Sequence, residues 1–296
     1  MKVLFCTDGS EASLYAIKKT LPFIKSDYQI DIVYVIDKKF LSHIAAENKE
    51  KVLVSHQNAA HEILDKTTEF ITSRDYKVTN SYCLKGHPST EIIDLSKSEN
   101  HNIIALGSHG KSGIENWLGS TSREVIMNAL CPVLVARPPK KAHIFNKDVL
   151  VTVNNSECSS NAIKKMIETL DLQNASIEIL TVTYGSESIP SELVMDEHWL
   201  KEFMAKERER AAKILDKSKK IFEENNIPVK STFHLEGFVS KEILDYLEEN
   251  PKDLVVMGTH GRDEITSFLL GSVSKRVLDH ATSPVLIIPN KKRPED

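Results

Sequence analysis

The chain has 296 residues, which is enough for about two domains of ordinary size. Charged residues make up 27% of it and hydrophobic residues 41%, a mixture typical of globular proteins, and no apolar run is long enough to predict a membrane-spanning helix. The formal net charge is −4, and basic residues are interspersed with acids, which argues against nucleic acid as a partner but allows a small anionic ligand.

The four cysteines are scattered and form no C-x-x-C pair. That spacing predicts buried thiols in a reducing compartment, and neither a disulfide framework nor a metal site is expected. The first residues, MKVLFCTDGS, lack the charged, apolar and small-residue regions of a signal peptide. We therefore expect a cytoplasmic protein without a membrane partner.

Five short runs rich in β-branched and apolar residues predict the strands of the first half. In chain order they are KVLFCT, IDIVYVI, KVTNSYCL, NIIALG and PVLVA. Near-continuous apolarity, as in NIIALG, favours strands that are buried on both faces of a parallel sheet.

Helical patterns separate these strands. Ser10 followed by Glu11 predicts the start of the first helix, and apolar residues recur at helical spacing from Ala45 to Arg74. A counterpart of that long helix is predicted from Met195 to Asn225 in the second half. Strict alternation of strands and helices predicts doubly wound α/β domains with right-handed crossovers.

The chain repeats itself. The segment VLFCTDGSEASLYAIKK from Val3 aligns without a gap to VLVTVNNSECSSNAIKK from Val149, and CPVLVARP near residue 131 matches SPVLIIPN near residue 283. A connector rich in Pro and Lys, RPPKKAHIFNKD, lies between the two copies. The sequence therefore predicts tandem domains over residues 1–140 and 147–291.

A glycine-rich stretch occurs once in each copy: IIALGSHGKSGIENWLGSTS from Ile103, and LVVMGTHGRDEITSFLLGSVS from Leu254. In a doubly wound sheet, ligands bind beyond the carboxyl ends of the strands where the strand order reverses. In the first copy the two strands that flank this point end at Thr7-Asp8-Gly9 and at Gly107. The first glycine-rich stretch is thus predicted to lie where a nucleotide would bind.

Its residue types suit an anion. Gly107 and Gly110 allow close backbone approach, and Gly119 and Ser120 precede a predicted helix, whose N-terminal amides are unpaired donors. Lys111 and Arg262 follow the second glycine in each copy and would add positive charge. We expect a phosphate held mainly by the backbone.

The glycine-rich stretch has three other interpretations. A P-loop requires a glycine where Ala105 stands, so that motif is rejected. A catalytic triad built on Asp8, Ser120 and a histidine (His109 or His260) lacks any G-x-S-x-G context. A third interpretation, that the glycines simply form turns, is less favoured because the stretch is repeated, but it stays open.

Taken together, these segments resemble the universal stress protein family in its tandem form. The second copy matches that family's motif G-x2-G-x9-G-[ST] in full, and CTDGSE, VYVID and GHPSTEII are similar to family segments. The resemblance extends over essentially the whole chain, twice. It implies two tandem Rossmann-like domains, each with a five-stranded parallel sheet of order 3-2-1-4-5. The two domains would pair through their last strands about a pseudo-twofold axis. A homodimer of tandem chains is left open.

The resemblance also implies an adenine nucleotide as ligand: ATP, ADP or AMP, with or without Mg²⁺. The acid after the first strand would lie near the ribose, a valine of the second strand near adenine, and the glycines and serine near the phosphates. The binding residues implied in the first half are Thr7, Asp8, Val35, Gly107, Gly110, Gly119, Ser120 and Thr121. Those implied in the second half are Asn154, Val182, Gly258, Gly261, Arg262, Gly271, Ser272 and Val273.

Each half departs from the family pattern at a different place. In the first half only eight residues separate Gly110 from Gly119, one fewer than in the motif, and in the second half Asn154 replaces the acid found at Asp8. An asparagine keeps an oxygen acceptor for a ribose hydroxyl but loses the charge, at a cost of about tenfold in affinity. We therefore expect two unequal sites.

Three functions remain open on the sequence. The leading hypothesis is a non-enzymatic adenine-nucleotide-binding protein of the stress response. A slow ATPase or adenylate-forming enzyme is the second, although no dense carboxylate cluster for Mg²⁺ stands near the loops. A nucleotide-free scaffold that presents helices to a partner protein is the third.

Overall fold

A computed structural model describes residues 1–39, 46–110, 118–139, 143–259 and 270–290. Two compact units divide the chain. Unit 1 covers Met1–Pro138 and unit 2 covers Pro139–Lys291. Each is an alternating α/β unit, as the sequence predicts.

Strands and helices alternate along unit 1. Its strands are β1 (Lys2–Cys6), β2 (Gln29–Asp37), β3 (Val78–Gly86), β4 (Ile103–Gly107) and β5 (Val133–Ala136). Its helices in the described residues are α1 (Glu11–Thr20), α2 (Ala46–Thr72), α3 (Pro88–Ser98) and α4 (Ser120–Asn128). The five strands predicted from the apolar runs are confirmed.

The strands of unit 1 form a parallel sheet in the order β3-β2-β1-β4-β5. Helix α1 packs on β4 and β5, and α2 packs on β2 and β3. Helix α3 also packs on β2 and β3 and contacts α4, which packs on β5. The central strand β1 is enclosed on both faces, with Val3, Leu4 and Phe5 fully buried. The order reverses between β1 and β4, so the carboxyl ends of these two strands form the switch point.

Unit 2 repeats the pattern. Its strands are β6 (Asp148–Val153), β7 (Ser176–Thr183), β8 (Val229–Glu236), β9 (Leu254–Gly258) and β10 (Val285–Ile288). Its helices in the described residues are α5 (Glu157–Thr169), α6 (Glu197–Glu224), α7 (Val239–Glu249) and α8 (Ser272–His280). The strand order is β8-β7-β6-β9-β10, again parallel, which places the switch point between β6 and β9.

Side-chain caps fix the start of the helix that follows the first strand of each unit. Ser10 accepts a hydrogen bond from the amide of Ser13 at the start of α1, and Ser156 accepts from the amide of Ser159 at the start of α5. The start of α1 that Ser10 and Glu11 predict is thus confirmed. In the part of the chain that the structure describes, none of the helices has the length and apolar character needed to cross a membrane.

Candidate functional site

A cavity of about 280 Å³ opens at the carboxyl edge of the unit 2 sheet. The ends of β6, β7 and β9 contribute to it, together with α6, α7 and the start of α8. It therefore lies at the switch point of this unit. Six residues named from the sequence line it: Asn154, Val182, Gly258, Gly271, Ser272 and Val273.

The start of α8 lines one part of this cavity. Gly271 is the N-cap residue, and no side chain caps the helix, so the amides of Ser272, Val273 and Ser274 have no side-chain acceptor among the described residues. The first amide that pairs within the helix is that of Lys275, which donates to the Gly271 carbonyl at 2.9 Å. Unpaired amides at the positive end of a helix dipole form a site for an anion.

Two hydrogen bonds hold this helix start in place. The Gly271 amide donates to the Thr259 carbonyl at 2.7 Å, and the Ser274 hydroxyl donates to the Gly258 carbonyl at 2.9 Å. Because Gly258 ends β9 and Ser274 lies in the first turn of α8, the strand end and the helix amides are fixed relative to each other.

Asn154, at the end of β6, has its side-chain oxygen already engaged. The oxygen accepts from the Ser156 amide at 3.0 Å, from the Ser156 hydroxyl at 2.5 Å and from the Ser159 hydroxyl at 2.9 Å. The sequence predicts this oxygen as an acceptor for a ribose hydroxyl, and the structure differs because local donors occupy it. The side-chain nitrogen of Asn154 is the polar group left to a ligand, and it is a donor.

The end of β7 lines another part of the cavity, through Val182, Thr183 and Tyr184. The Thr183 hydroxyl lies 2.7 Å from Nε2 of His234 on the neighbouring strand β8. Burial lowers the pKa of His234 below its usual value, which favours the neutral ring, and its Nε2 can then accept a hydrogen bond from the Thr183 hydroxyl. Glu207 of α6 lines the cavity as well.

Unit 1 repeats the geometry of the helix start. Gly119 is the N-cap residue of α4 without a side-chain cap, and its amide donates to the Ser108 carbonyl at 2.7 Å. The Ser122 hydroxyl donates to the Gly107 carbonyl at 2.8 Å, as Ser274 does to Gly258 in unit 2. Ser120 and Thr121 occupy the first helical turn, so the spacing of eight residues before Gly119 leaves this end of the site similar to that of unit 2.

The end of β1 and the second motif glycine meet in unit 1. A Cβ atom on Gly110 would lie 2.7 Å from Oδ2 of Asp8, so the two residues are in contact. The other oxygen of Asp8 accepts from the Ser10 amide at 3.0 Å. A side chain at position 110 would therefore displace the Asp8 carboxylate, whereas glycine leaves it in place.

Thr7 and Val35 have different surroundings. Thr7 is buried, and its hydroxyl accepts from the Gly9 amide at 3.2 Å and lies 3.3 Å from the Ser13 hydroxyl, so it stabilises the turn after β1. Val35 is half-buried in β2 and pairs in register with Leu84 of β3. Lys111, His260, Gly261 and Arg262, which the sequence also singles out, lie outside the described residues.

Several cavity residues were not expected from the sequence. They are Thr152, Val153, Ser159, Leu180, Thr183, Tyr184, Glu207, Val239, Ile243, Met257 and Ser274. Most belong to strand ends and helix faces without a motif. Glu207 could have been noticed in the sequence, because it stands at helical spacing from buried Ala211 and Ile214, at a position where an apolar residue would be ordinary.

Among the described residues, no three His, Cys, Asp or Glu side chains form a group that could hold a metal ion.

The fold and the cavity define a class of protein: tandem doubly wound α/β units, each with an uncapped helix start at its switch point. The universal stress protein family matches residues 1–137 and 146–289, and the chain belongs to that family. The tandem organisation expected from the internal repeat is thereby confirmed.

Curated relatives match about one half of the chain. A universal stress protein of Methanocaldococcus jannaschii is 33% identical over 143 residues, which is 47% of this chain and 84% of that protein. One of Bacillus subtilis is 29% identical over 149 residues, which is 49% of this chain and 99% of that protein. The crystal structure of a universal stress protein from Archaeoglobus fulgidus aligns with 100% of this chain and 97% of its own chain, with a TM-score of 0.66. At 22% sequence identity, this similarity supports the fold alone.

Proposed function

We propose that this chain binds an adenine nucleotide, ATP, ADP or AMP, as part of a stress response. One observation carries the proposal: a single cavity joins the strand ends of the unit 2 switch point to the uncapped start of α8. Its volume of about 280 Å³ is close to the lower end of the usual range for small-molecule sites, about 300–1,000 Å³.

The phosphates of the nucleotide lie against the start of α8. The amides of Ser272, Val273 and Ser274 donate to phosphate oxygens, and the helix dipole favours the negative charge. Backbone donors at a helix start bind phosphate without a charged side chain. Any Mg²⁺ arrives with the nucleotide, since this ion prefers phosphate oxygens and water as ligands.

The nucleoside occupies the rest of the cavity. The amide nitrogen of Asn154 donates to the ribose, because its oxygen is held by Ser156 and Ser159. The base lies against the end of β7, at Val182. The site in unit 1 uses the Asp8 carboxylate for the ribose and the start of α4 for the phosphates, so the two sites differ in their ribose contact.

The buried thiols are consistent with a reducing cellular compartment. Cys6, Cys131 and Cys158 are buried, and burial raises the pKa of the Cys6 thiol far above its usual value, which keeps it protonated and unreactive. The cytosol is such a compartment, and we propose it as the location.

The experiment places a carboxylate at each helix start. Ser120 and Ser272 are exposed first residues of α4 and α8, and an aspartate there is compatible with the helix because an acid suits the N-terminus. Calorimetric titration with ATP measures the stoichiometry and affinity of the wild type, of S120D, of S272D and of the double variant. The matched controls are S120A and S272A, which remove the hydroxyl but add no charge.

Each single aspartate is expected to remove one site, and the double variant is expected to bind no nucleotide. The alanine controls keep the backbone amides and add no charge, so both should retain saturable binding. Loss of one hydroxyl hydrogen bond to a phosphate, at about 1.5 kcal/mol, would weaken the affinity about tenfold. Absence of saturable binding by the wild type contradicts the proposal. Binding that both aspartates leave unchanged places the phosphates elsewhere and contradicts it as well.

A further inference from the structure

Glu207 is a buried acid on the core-facing side of α6. It is 9% exposed, and it shares that side of the helix with buried Ala211, Ile214 and Ser218. Burying a carboxylate costs free energy unless donors compensate for the water it loses. An acid at this position therefore needs a partner on the core side of the helix.

Among the described residues, the hydrogen-bond partner of Glu207 contacts one of its two carboxylate oxygens. Nη1 of Arg210 lies 3.4 Å from Oε1, at the outer limit of a hydrogen bond, and the Arg210 side chain is 39% exposed. Oε2 accepts no hydrogen bond from the described residues. Because Glu207 lines the cavity, this acceptor is available to a ligand.

Glu207 lines the same cavity as Val182 and Thr183 of β7. Its helix, α6, packs on β7 and β8. His234 bonds to Thr183, which directly follows Val182. Glu207 is therefore near the part of the cavity where the base is proposed to lie, and α8, with its phosphate-binding amides, lines a different part.

Unit 1 does not have an acid at this position. The segment Ile-Leu-Asp-Lys occurs at residues 63–66 of α2 and at 214–217 of α6, and this alignment pairs Glu207 with His56. Unit 1 instead has its acid, Asp8, at the strand end, where unit 2 has Asn154. Each unit thus has one carboxylate that the other lacks: Asp8 at the strand end in unit 1 and Glu207 on the long helix in unit 2.

We propose that Glu207 recognises the exocyclic amine of a 6-aminopurine bound in unit 2. The inference rests on the proposed nucleotide site and adds a specificity-determining residue to it. The carboxylate accepts a hydrogen bond from the amine of adenine, whereas it repels the carbonyl oxygen of a 6-oxopurine such as hypoxanthine. Unit 2 is then selective for adenine through a side chain, and unit 1 lacks this contact.

The experiment compares ATP with ITP, which has a carbonyl in place of the amine. Both are titrated into the full chain carrying S120D, which confines binding to unit 2, with and without E207Q. Glutamine has the same shape as glutamate and can either donate or accept, so it fits both bases. The control variant is E209Q, because Glu209 is exposed on the same helix and pairs with Lys213.

E207Q is expected to weaken ATP binding about tenfold, because a charged hydrogen bond is replaced by a neutral one. The preference for ATP over ITP should fall by at least the same factor. E209Q should leave both affinities unchanged. An unchanged preference in E207Q overturns the inference. An equal loss for both nucleotides, accompanied by a lost preference for ATP over 2′-deoxy-ATP, assigns Glu207 to the sugar and also overturns it.

These failures are distinct from failure of the proposed function. If S120D binds ATP with one site per chain but E207Q changes nothing, the nucleotide site stands and the role of Glu207 does not. If neither the wild type nor S120D binds ATP, both fail together. Thermal unfolding of E207Q and E209Q checks that each variant is folded at the titration temperature.

Discussion

Nζ of Lys252 lies 2.5 Å from Oε2 of Glu178, and the two side chains are 8% and 7% exposed. Burial alone would raise the pKa of Glu178, but hydrogen bonds from Lys252 and Tyr246 lower it below its usual value. At the equivalent place in unit 1, Nε2 of His101 lies 3.0 Å from Oδ2 of Asp31, and both residues are fully buried. Both units thus have a buried contact between an acid of the second strand and a base that precedes the fourth strand. The acid is Asp31 in unit 1 and Glu178 in unit 2, and the base is His101 in unit 1 and Lys252 in unit 2.

Replacement of Lys252 by methionine should strongly destabilise the protein. The apolar part of the side chain is kept, but Glu178 remains buried with its main charged partner gone, a change that typically costs about 3–5 kcal/mol. The measurement is the free energy of unfolding from urea denaturation followed by circular dichroism.

The control for this prediction is Lys230→Met. Lys230 approaches the other oxygen of Glu178 at 3.4 Å, but its side chain is 60% exposed, so its loss should cost less than about 1 kcal/mol. Equal losses for the two variants would mean that burial of the ion pair does not determine its contribution.

Unit 1 should lose stability as the pH falls below about 6.5, the usual pKa of histidine. Burial lowers the pKa of His101 in the folded chain, so the unfolded chain takes up the proton first. The contribution of His101 is therefore fully present above pH 6.5 and declines below it, by at most about 1.4 kcal/mol per pH unit.

The variant His101→Gln tests the sign of this effect. Its amide keeps a donor for Asp31 but does not titrate, so its free energy of unfolding should fall less than that of the wild type between pH 7 and pH 5. Because the pKa of His234 is lowered as well, the test is the difference in the free energy of unfolding between the wild type and His101→Gln, measured by urea denaturation at each pH. Parallel curves for the wild type and the variant would exclude a role of His101 in the acid response.

The fold was predictable from the sequence because its signals are local and repeated. The apolar runs matched β1 to β5 within about one or two residues at most ends, and the long helical pattern predicted from Ala45 to Arg74 corresponds to α2 at Ala46–Thr72. The strand order needed more than periodicity: it followed from the usual doubly wound arrangement and from the family resemblance.

Details of the site were not predictable, because they depend on which side chains converge after folding. The engaged oxygen of Asn154 requires Ser156 and Ser159 to turn toward it, and no motif records that. Glu207 enters the cavity from a helix that is distant in sequence from every glycine of the motif. Gly107 and Gly258, although they occupy the same motif position, differ in their surroundings.

That difference predicts opposite outcomes for two matched substitutions. A Cβ atom on Gly107 would lie 2.7 Å from the carbonyl carbon of Ala12 and 2.8 Å from the amide nitrogen of Ser13, both backbone atoms of α1. A Cβ atom on Gly258 would lie 3.6 Å from the carbonyl oxygen of Cys158, an ordinary contact. Gly107→Ala should therefore cost about 1–3 kcal/mol, because the start of α1 must shift, and Gly258→Ala should change stability by less than about 0.5 kcal/mol.

Urea denaturation of the two alanine variants measures these costs directly. A similar loss in both would indicate that the first motif glycine is required for a backbone conformation shared by the two units. A loss in Gly107→Ala alone would indicate that close packing of α1 on the end of β4 sets the requirement in unit 1.

Asp253 should control how firmly the residues before β6 are held on unit 2. It is fully buried, and its Oδ2 accepts from the amides of Asn146 and Asp148 at 2.8 and 3.2 Å, while Nε2 of His143 lies 3.5 Å from Oδ1. Asp253→Leu leaves two backbone amides without their acceptor, at about 1–3 kcal/mol each, whereas Asp253→Asn keeps an acceptor oxygen.

Local opening of this segment should expose Lys147 to trypsin. The rate of cleavage after Lys147, measured by mass spectrometry, should rise at least tenfold in the leucine variant and less than threefold in the asparagine variant. Equal cleavage rates in the wild type and both variants would show that other contacts hold this segment, and that the buried carboxylate contributes to the core of unit 2 alone.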